Sequence, residues 1–169
     1  MAEQDQVSLV RRAQAGDREA MEALLRSSQG LARRIAVSVL GRQGLDDALQ
    51  ETYLLAFRKL PQLREPEAFR GWFSRLVLYV CYGQQRRIKV EDELPESLAA
   101  PDRSEAVVAA LALRQAMARL SRKDRDVLIL REVLQLSYDE VATALRLPVG
   151  TVRSRLSAAR KHLAERMAL

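Results

Sequence analysis

Residues 137 to 161, SYDEVATALRLPVGTVRSRLSAARK, constrain the fold more than any other stretch. Ser137 followed three residues later by Glu140 has the spacing of a capping box, which predicts a helix start. Val141, Ala142 and Leu145 give that helix one apolar face. Leu147, Pro148 and Gly150 then interrupt the pattern, with Pro148 placed to open a new helix. Val152, Leu156, Ala159 and Leu163 recur at helical spacing as a single buried stripe. The opposite side carries Thr151, Arg153, Ser154, Arg155, Ser157, Arg160 and Lys161. Two short helices around a tight turn, the second with guanidinium and hydroxyl groups outward, describe a helix-turn-helix. Arg can bond guanine bidentately in the major groove, while Ser, Thr and Lys hold phosphates. A merely solvated basic face is the plainer alternative, and the capping box and spacing argue against it. Arg146 stands at the turn, where the backbone tends to be left-handed and Gly is usual. Keeping that conformation with Arg costs about 1 kcal/mol.

The rest of the composition agrees with an all-α chain. There are 7 Gly and 5 Pro in 169 residues, with abundant Ala, Leu, Arg and Glu. A formal net charge of +6 favours a polyanionic partner, nucleic acid before membrane. The single cysteine, Cys81, lies in an apolar run and reads as a buried thiol. His162 is the one histidine, has no second ligand nearby in sequence and reads as solvated. No apolar run approaches a membrane span, and the polar start, MAEQDQ, is unlike a signal peptide, which makes the cytoplasm the expected compartment. Neither a phosphate-cradling glycine loop, nor zinc spacing, nor a Ser/His/Asp set is present, so no catalytic residue, metal or cofactor is expected.

In chain order, residues 7 to 15 read as a short helix with Leu9, Val10 and Ala13 inward and Gly16 ending it. Asp17 can cap the next helix, which carries Met21, Leu24, Leu25, Leu31, Ile35 and Val39 and closes at Gly41 and Gly44. Asp47 is expected to open a third helix with a core stripe of Leu49, Tyr53, Ala56, Phe57 and Leu60. Its second face, Asp47, Gln50, Glu51, Leu54 and Arg58, sets an exposed leucine among charges. Solvation explains the charges; a helix-docking surface for a protein partner explains the leucine too. Residues 61 to 68, PQLREPEA, form a loop between two prolines. The fourth helix buries Phe69, Trp72, Phe73, Leu76, Val77 and Val80. Its other side alternates Arg75, Tyr79, Tyr82 and Arg86, followed by Arg87 and Lys89. Aromatic rings stack on unpaired bases while Arg holds the backbone; packing of the two tyrosines on a neighbouring helix is the alternative. From Val90 to Glu105 periodicity disappears and carboxylates dominate, the signature of an extended acidic linker. Periodicity resumes with Leu111, Leu113, Met117 and Leu120. Ser121 with Asp124 then starts a helix burying Val127, Leu128 and Leu130. The boundaries expected are a domain at 1–89, a linker at 90–105 and a domain at 106–169.

Together these segments closely resemble a bacterial sigma factor of the extracytoplasmic-function group. The strongest pieces are DDALQETYLLAF at 46–57, FRGWFSRL at 69–76 and LSYDEVATALRLPVGTVRSRLSAARKHL at 136–163. The resemblance implies an all-α fold of two small helical domains, sigma regions 2 and 4, joined by a flexible acidic linker. It implies that Asp47, Gln50, Glu51, Leu54 and Arg58 dock on the clamp helices of the RNA polymerase largest subunit. It assigns Leu63, Arg64, Arg70, Arg75, Tyr79, Tyr82, Arg86 and Arg87 to opening of the minus-ten promoter element and capture of a flipped base. Thr151, Arg153, Ser154, Arg155, Ser157, Arg160 and Lys161 fall to the reader of the minus-thirty-five element. The remaining partners implied are the flap of the second-largest subunit and an anti-sigma factor. One run departs from the family pattern: VLYVCYGQQRR has Tyr79 and Gly83 where Asn and Asp are frequent, and Gly83 is expected to loosen the helix end by about 1 kcal/mol. The function expected is that of an alternative sigma factor, a non-enzymatic subunit. The rival is a stand-alone helix-turn-helix regulator that never joins polymerase.

Overall fold

The computed structural model describes residues 2–91 and 105–167. Eight α-helices follow in order: α1 Ala2–Gln14, α2 Arg18–Leu40, α3 Leu45–Lys59, α4 Phe69–Glu91, α5 Glu105–Ala118, α6 Arg122–Leu128, α7 Tyr138–Leu145 and α8 Val149–Met167. No strand occurs among the described residues. α4 runs through Glu91 and α5 opens at Glu105, so both ends of the expected linker at 90–105 are helical; residues 92–104 lie outside the described residues. Gly83 does not end α4, because a helix interior tolerates one glycine when its neighbours are packed.

Local chemistry sets the helix ends. Asp17 accepts from the Ala20 amide at 3.0 Å and caps α2, while Gly16, at φ +93°, makes the reversal from α1. α3 begins at Leu45, two residues before the expected Asp47, behind a left-handed Gly44. The loop after α3 folds as two 3-10 turns, Leu60–Gln62 and Pro66–Ala68. Gln14 pins the first of them, donating to the carbonyls of Leu60 at 3.0 Å and Leu63 at 2.7 Å. Both halves of the capping box at α7 form: Glu140 N–H donates to Ser137 Oγ at 3.1 Å, and Ser137 N–H to Glu140 Oε2 at 2.6 Å. Arg146 is left-handed at φ 55°, as the turn demands.

The first group of helices packs α1, α2, α3 and α4 around Val10, Leu24, Ile35, Leu60, Phe69, Phe73 and Val77, each almost fully buried. Phe69 stacks on Phe73 with centroids 5.5 Å apart. In α3 the fully buried residues are Leu45, Ala48, Thr52 and Ala56; of the expected stripe, Ala56 and Leu60 are buried and Leu49 and Tyr53 pack against the core, but Phe57 is 59% exposed. Small side chains face inward because α3 lies against both α2 and α4; Thr52 satisfies its hydroxyl on the Ala48 carbonyl at 2.7 Å. The second group packs α6, the following π turn at Ile129–Val133, α7 and α8 around Val127, Ile129, Leu130, Leu136, Val141, Val152, Leu156 and Ala159.

The two groups share one continuous core, joined mainly where α4 packs on α7. Gly71 is the point of closest approach. A Cβ built there lies 2.6 Å from the Glu140 carbonyl oxygen and 3.0 Å from Thr143 Cβ, so only a residue without a side chain fits.

Candidate nucleic-acid and docking interfaces

Three surfaces collect the residues singled out from the sequence. The first is the outer face of α3. Asp47, Gln50 and Arg58 are exposed and Glu51 is half-buried, around Leu54 at 60% exposure. Phe57 completes this face. Sequence reasoning placed it inward because a large aromatic usually is; the small-residue register of α3 was the signal that it points out. Two large apolar side chains side by side on an otherwise charged helix form a patch with no partner among the described residues.

The second surface lies on the loop after α3 and the adjoining side of α4. Tyr79 is 64% exposed and borders a cleft of about 580 Å³ lined also by Lys59, Leu63, Arg64, Arg75 and, from the helix-turn-helix, Thr143 and Arg146. Lys59, Arg64, Arg75 and Arg146 make no side-chain ion pair or hydrogen bond among the described residues. Burial, and then the neighbouring charge of Arg146, hold the Arg75 guanidinium below its ordinary pKa. The cleft therefore offers four cations and one open aromatic ring, with the Glu65 carboxylate also on its lining. Arg86 is exposed beyond it, and Arg87 reaches Glu51 at 3.4 Å.

Of two further residues expected on this face, Tyr82 is buried and Arg70 is partly exposed but paired. Tyr82 is only 6% exposed: its hydroxyl donates to Asp126 Oδ1, and the Arg122 guanidinium lies 3.8 Å above its ring. The neighbouring-helix alternative for Tyr82 thus describes this conformation, whereas Tyr79 is the open ring. Burial and the Asp126 charge push the Tyr82 phenol upward. Burial likewise raises Asp126, against the pull of the Tyr82 hydrogen bond and of Arg122. Arg70 pairs with Glu140 at 3.3 Å and donates to the Leu134 carbonyl at 3.4 Å. That pair is partly exposed and contributes about 1 kcal/mol at most; the buried Tyr82–Asp126 bond and the Gly71 contact hold the junction more firmly.

The third surface is the outer side of α8. Arg153, Ser154, Ser157, Arg160 and Lys161 are exposed, and Thr151 and Arg155 are half-buried. Arg160 is held by Glu132 through two bonds of 3.0 and 2.6 Å. Arg153 leans over the Tyr138 ring at 5.3 Å. His162, read as solvated, is exposed and also faces Asp124 at 3.0 Å. That carboxylate, one half of the expected second capping box, is thereby engaged elsewhere, although Ser121 Oγ still caps α6.

A family model for sigma-70, region 4, matches residues 110–163, which span α7 and nearly all of α8. The chain is 33% identical to the RNA polymerase sigma-H factor of Pseudomonas aeruginosa, over 94% of this chain and 91% of that one. It is 32% identical to the ECF RNA polymerase sigma factor SigM of Mycobacterium tuberculosis, over 89% and 78% of the two chains. The chain belongs to the extracytoplasmic-function group of RNA polymerase sigma factors. Its fold also matches that of the sigma factor RpoE in a co-crystal with the anti-sigma factor NepR from Bartonella quintana, at a TM-score of 0.67 and 23% identity, over 88% of this chain and 96% of that one. The protein is accordingly an alternative sigma factor and not a stand-alone helix-turn-helix regulator. The relatives are named as RNA polymerase sigma factors. None of the described helices of this sigma factor is long and apolar enough to cross a membrane.

Proposed function

We propose that this sigma factor binds core RNA polymerase through the outer face of α3, with Leu54 and Phe57 as apolar anchors inside a rim of Asp47, Gln50, Glu51 and Arg58. The exposure of Leu54 and Phe57, 60% and 59%, is the observation that carries this reading. An anchor pair ringed by charge is the usual make-up of a specific protein interface, with affinity from the apolar centre and orientation from the rim. The docking partner is the pair of clamp helices on the largest subunit. Residues 1–89 act as region 2 and residues 106–169 as region 4, which also meets the flap of the second-largest subunit.

Promoter DNA is engaged at two places. Leu63, Arg64, Arg70, Arg75, Tyr79, Tyr82, Arg86 and Arg87 serve the minus-ten element. Extruding a base costs a few kcal/mol of stacking, which an aromatic ring and phosphate-holding guanidinium groups recover. Tyr79 supplies the ring and Arg64 and Arg75 the charge. Thr151, Arg153, Ser154, Arg155, Ser157, Arg160 and Lys161 read the minus-thirty-five element in the major groove. The protein works in the cytoplasm, where polymerase and chromosome are, and an anti-sigma factor restrains it; the co-crystallised RpoE supports that last step by analogy.

Co-elution with core polymerase tests the division of labour. Leu54→Asp abolishes co-elution while the protein stays folded. Arg153→Ala retains it, because α8 lies on a different surface. Loss of co-elution in both variants, or in neither, contradicts the assignment.

A further inference from the structure

Arg153, Ser157 and Arg160 fall at i, i+4 and i+7 on one exposed face of α8. Neither guanidinium on that face stands alone. Arg153 leans on the Tyr138 ring at 5.3 Å, and Arg131 approaches the same ring at 4.8 Å. Arg160 meets Glu132, donating through Nε and Nη2 to the single oxygen Oε1 at 3.0 and 2.6 Å.

The carboxylate comes from an irregular segment. Ile129–Val133 is a π turn, closed by the Leu134 amide on the Ile129 carbonyl at 3.1 Å. Gln135 then turns left-handed at φ 54°. Ile129, Leu130, Leu134 and Leu136 stay buried throughout, while Glu132 is left outside. Arg131 fixes the segment by donating to the Leu136 carbonyl at 2.6 Å. Single π turns and left-handed non-glycine residues recur at functional sites, where an irregular backbone aims a particular side chain.

Stability does not account for the pair. The two side chains are 56% and 45% exposed, and ion pairs so open to water add little to a fold. The consequence for DNA is larger. Phosphates attract a cation through its net charge and the counterions it releases, and the Glu132 carboxylate offsets that charge. Pairing also occupies the Nε edge of the guanidinium and leaves Nη1 free in a fixed direction. What remains to Arg160 is directional hydrogen bonding, which distinguishes base edges where net charge does not.

We propose that Glu132 is a positioning residue that sets the specificity of the minus-thirty-five reader, holding Arg160 toward a base edge and keeping it from sampling phosphates. This rests on the reading of α8 as the minus-thirty-five surface. Glu132 acts through Arg160 and not on the DNA itself.

The test uses core polymerase loaded with the full chain and a promoter found by run-off transcription. Templates carrying single base-pair substitutions across the minus-thirty-five element compete with the unsubstituted one. With the parent protein, changing the base pair read by Arg160 should lower promoter use about tenfold. Arg160→Ala identifies that pair by removing its penalty alone. Glu132→Gln keeps the side-chain shape but not the charge; it should cut the same penalty to about threefold or less and leave the other positions as they were. Salt dependence gives the second readout. The log–log plot of promoter affinity against salt should steepen by about 0.9 in Glu132→Gln, as the released guanidinium engages one more phosphate. Adding Arg160→Ala should abolish the steepening. A merely structural role for Glu132 would weaken all positions together without steepening the plot. Uniform weakening, an unchanged penalty profile, or steepening that survives Arg160→Ala overturns the proposal. Absence of any transcript from the parent protein instead overturns the sigma-factor reading beneath it.

Discussion

Arg146 shows how a single residue reconciles a motif with an unfavourable backbone. The turn between α7 and α8 holds it at φ 55°, where a Cβ costs about 1 kcal/mol. Its guanidinium projects to the cationic cleft beside Arg75. Arg146→Gly should raise stability by about 0.5 to 1 kcal/mol in urea denaturation; a loss of stability would mean the side chain contributes packing that outweighs the strain. At the other end of the chain, Asp17 is held below the usual carboxylate range by the Ala20 amide first, then by Arg12. Because its folded pKa lies below the unfolded value, its contribution is present above the ordinary carboxylate range and is lost as pH falls through the folded pKa. Asp17→Ala should therefore destabilise the protein at neutral pH, with the difference from the parent closing in strong acid. Residue-scale features such as Ser137–Glu140, Asp17 and Arg146 were legible in the sequence because a cap or turn is decided within four residues. His162 was not, because its partner Asp124 lies on another helix.

At the scale of the helix, α3 separates what periodicity reveals from what packing decides. Both Leu45–Ala48–Thr52–Ala56 and Leu49–Tyr53–Ala56–Phe57–Leu60 run at helical spacing, and size favours the second. Close approach to α2 and α4 centres the buried face on the first; Leu49, Tyr53 and Leu60 still pack at its edge, and only Phe57 joins Leu54 outside. Phe57→Asp should change stability by less than about 0.5 kcal/mol yet weaken polymerase co-elution as Leu54→Asp does. Ala48→Leu should do the reverse, costing about 1 to 3 kcal/mol by overpacking while leaving the docking face chemically intact. Equal stability losses for Phe57→Asp and Ala48→Leu would contradict this register. In α4 the apolar stripe from Phe69 to Val80 is buried as expected, and Leu78, Cys81 and Tyr82 are buried besides because α4 packs on α2, α3 and α7.

At the scale of the molecule, the sequence announced two helical groups and their order, but not that they share a core. Nothing in the local pattern of Tyr82 distinguishes a ring awaiting a base from a ring resting on Asp126; that depends on where α6 lies. The same holds for Gly71, whose role emerges only when α7 is brought against α4. The central claim, that this chain directs polymerase to promoters, is tested most directly by run-off transcription on genomic fragments with core polymerase, comparing the intact protein with Leu54→Asp and Arg153→Ala. Discrete transcripts that require the intact protein and vanish in both variants are the predicted result. If the intact protein gives no transcript while still retaining fragments in a salt-sensitive way, the chain binds DNA without serving polymerase and the account is wrong.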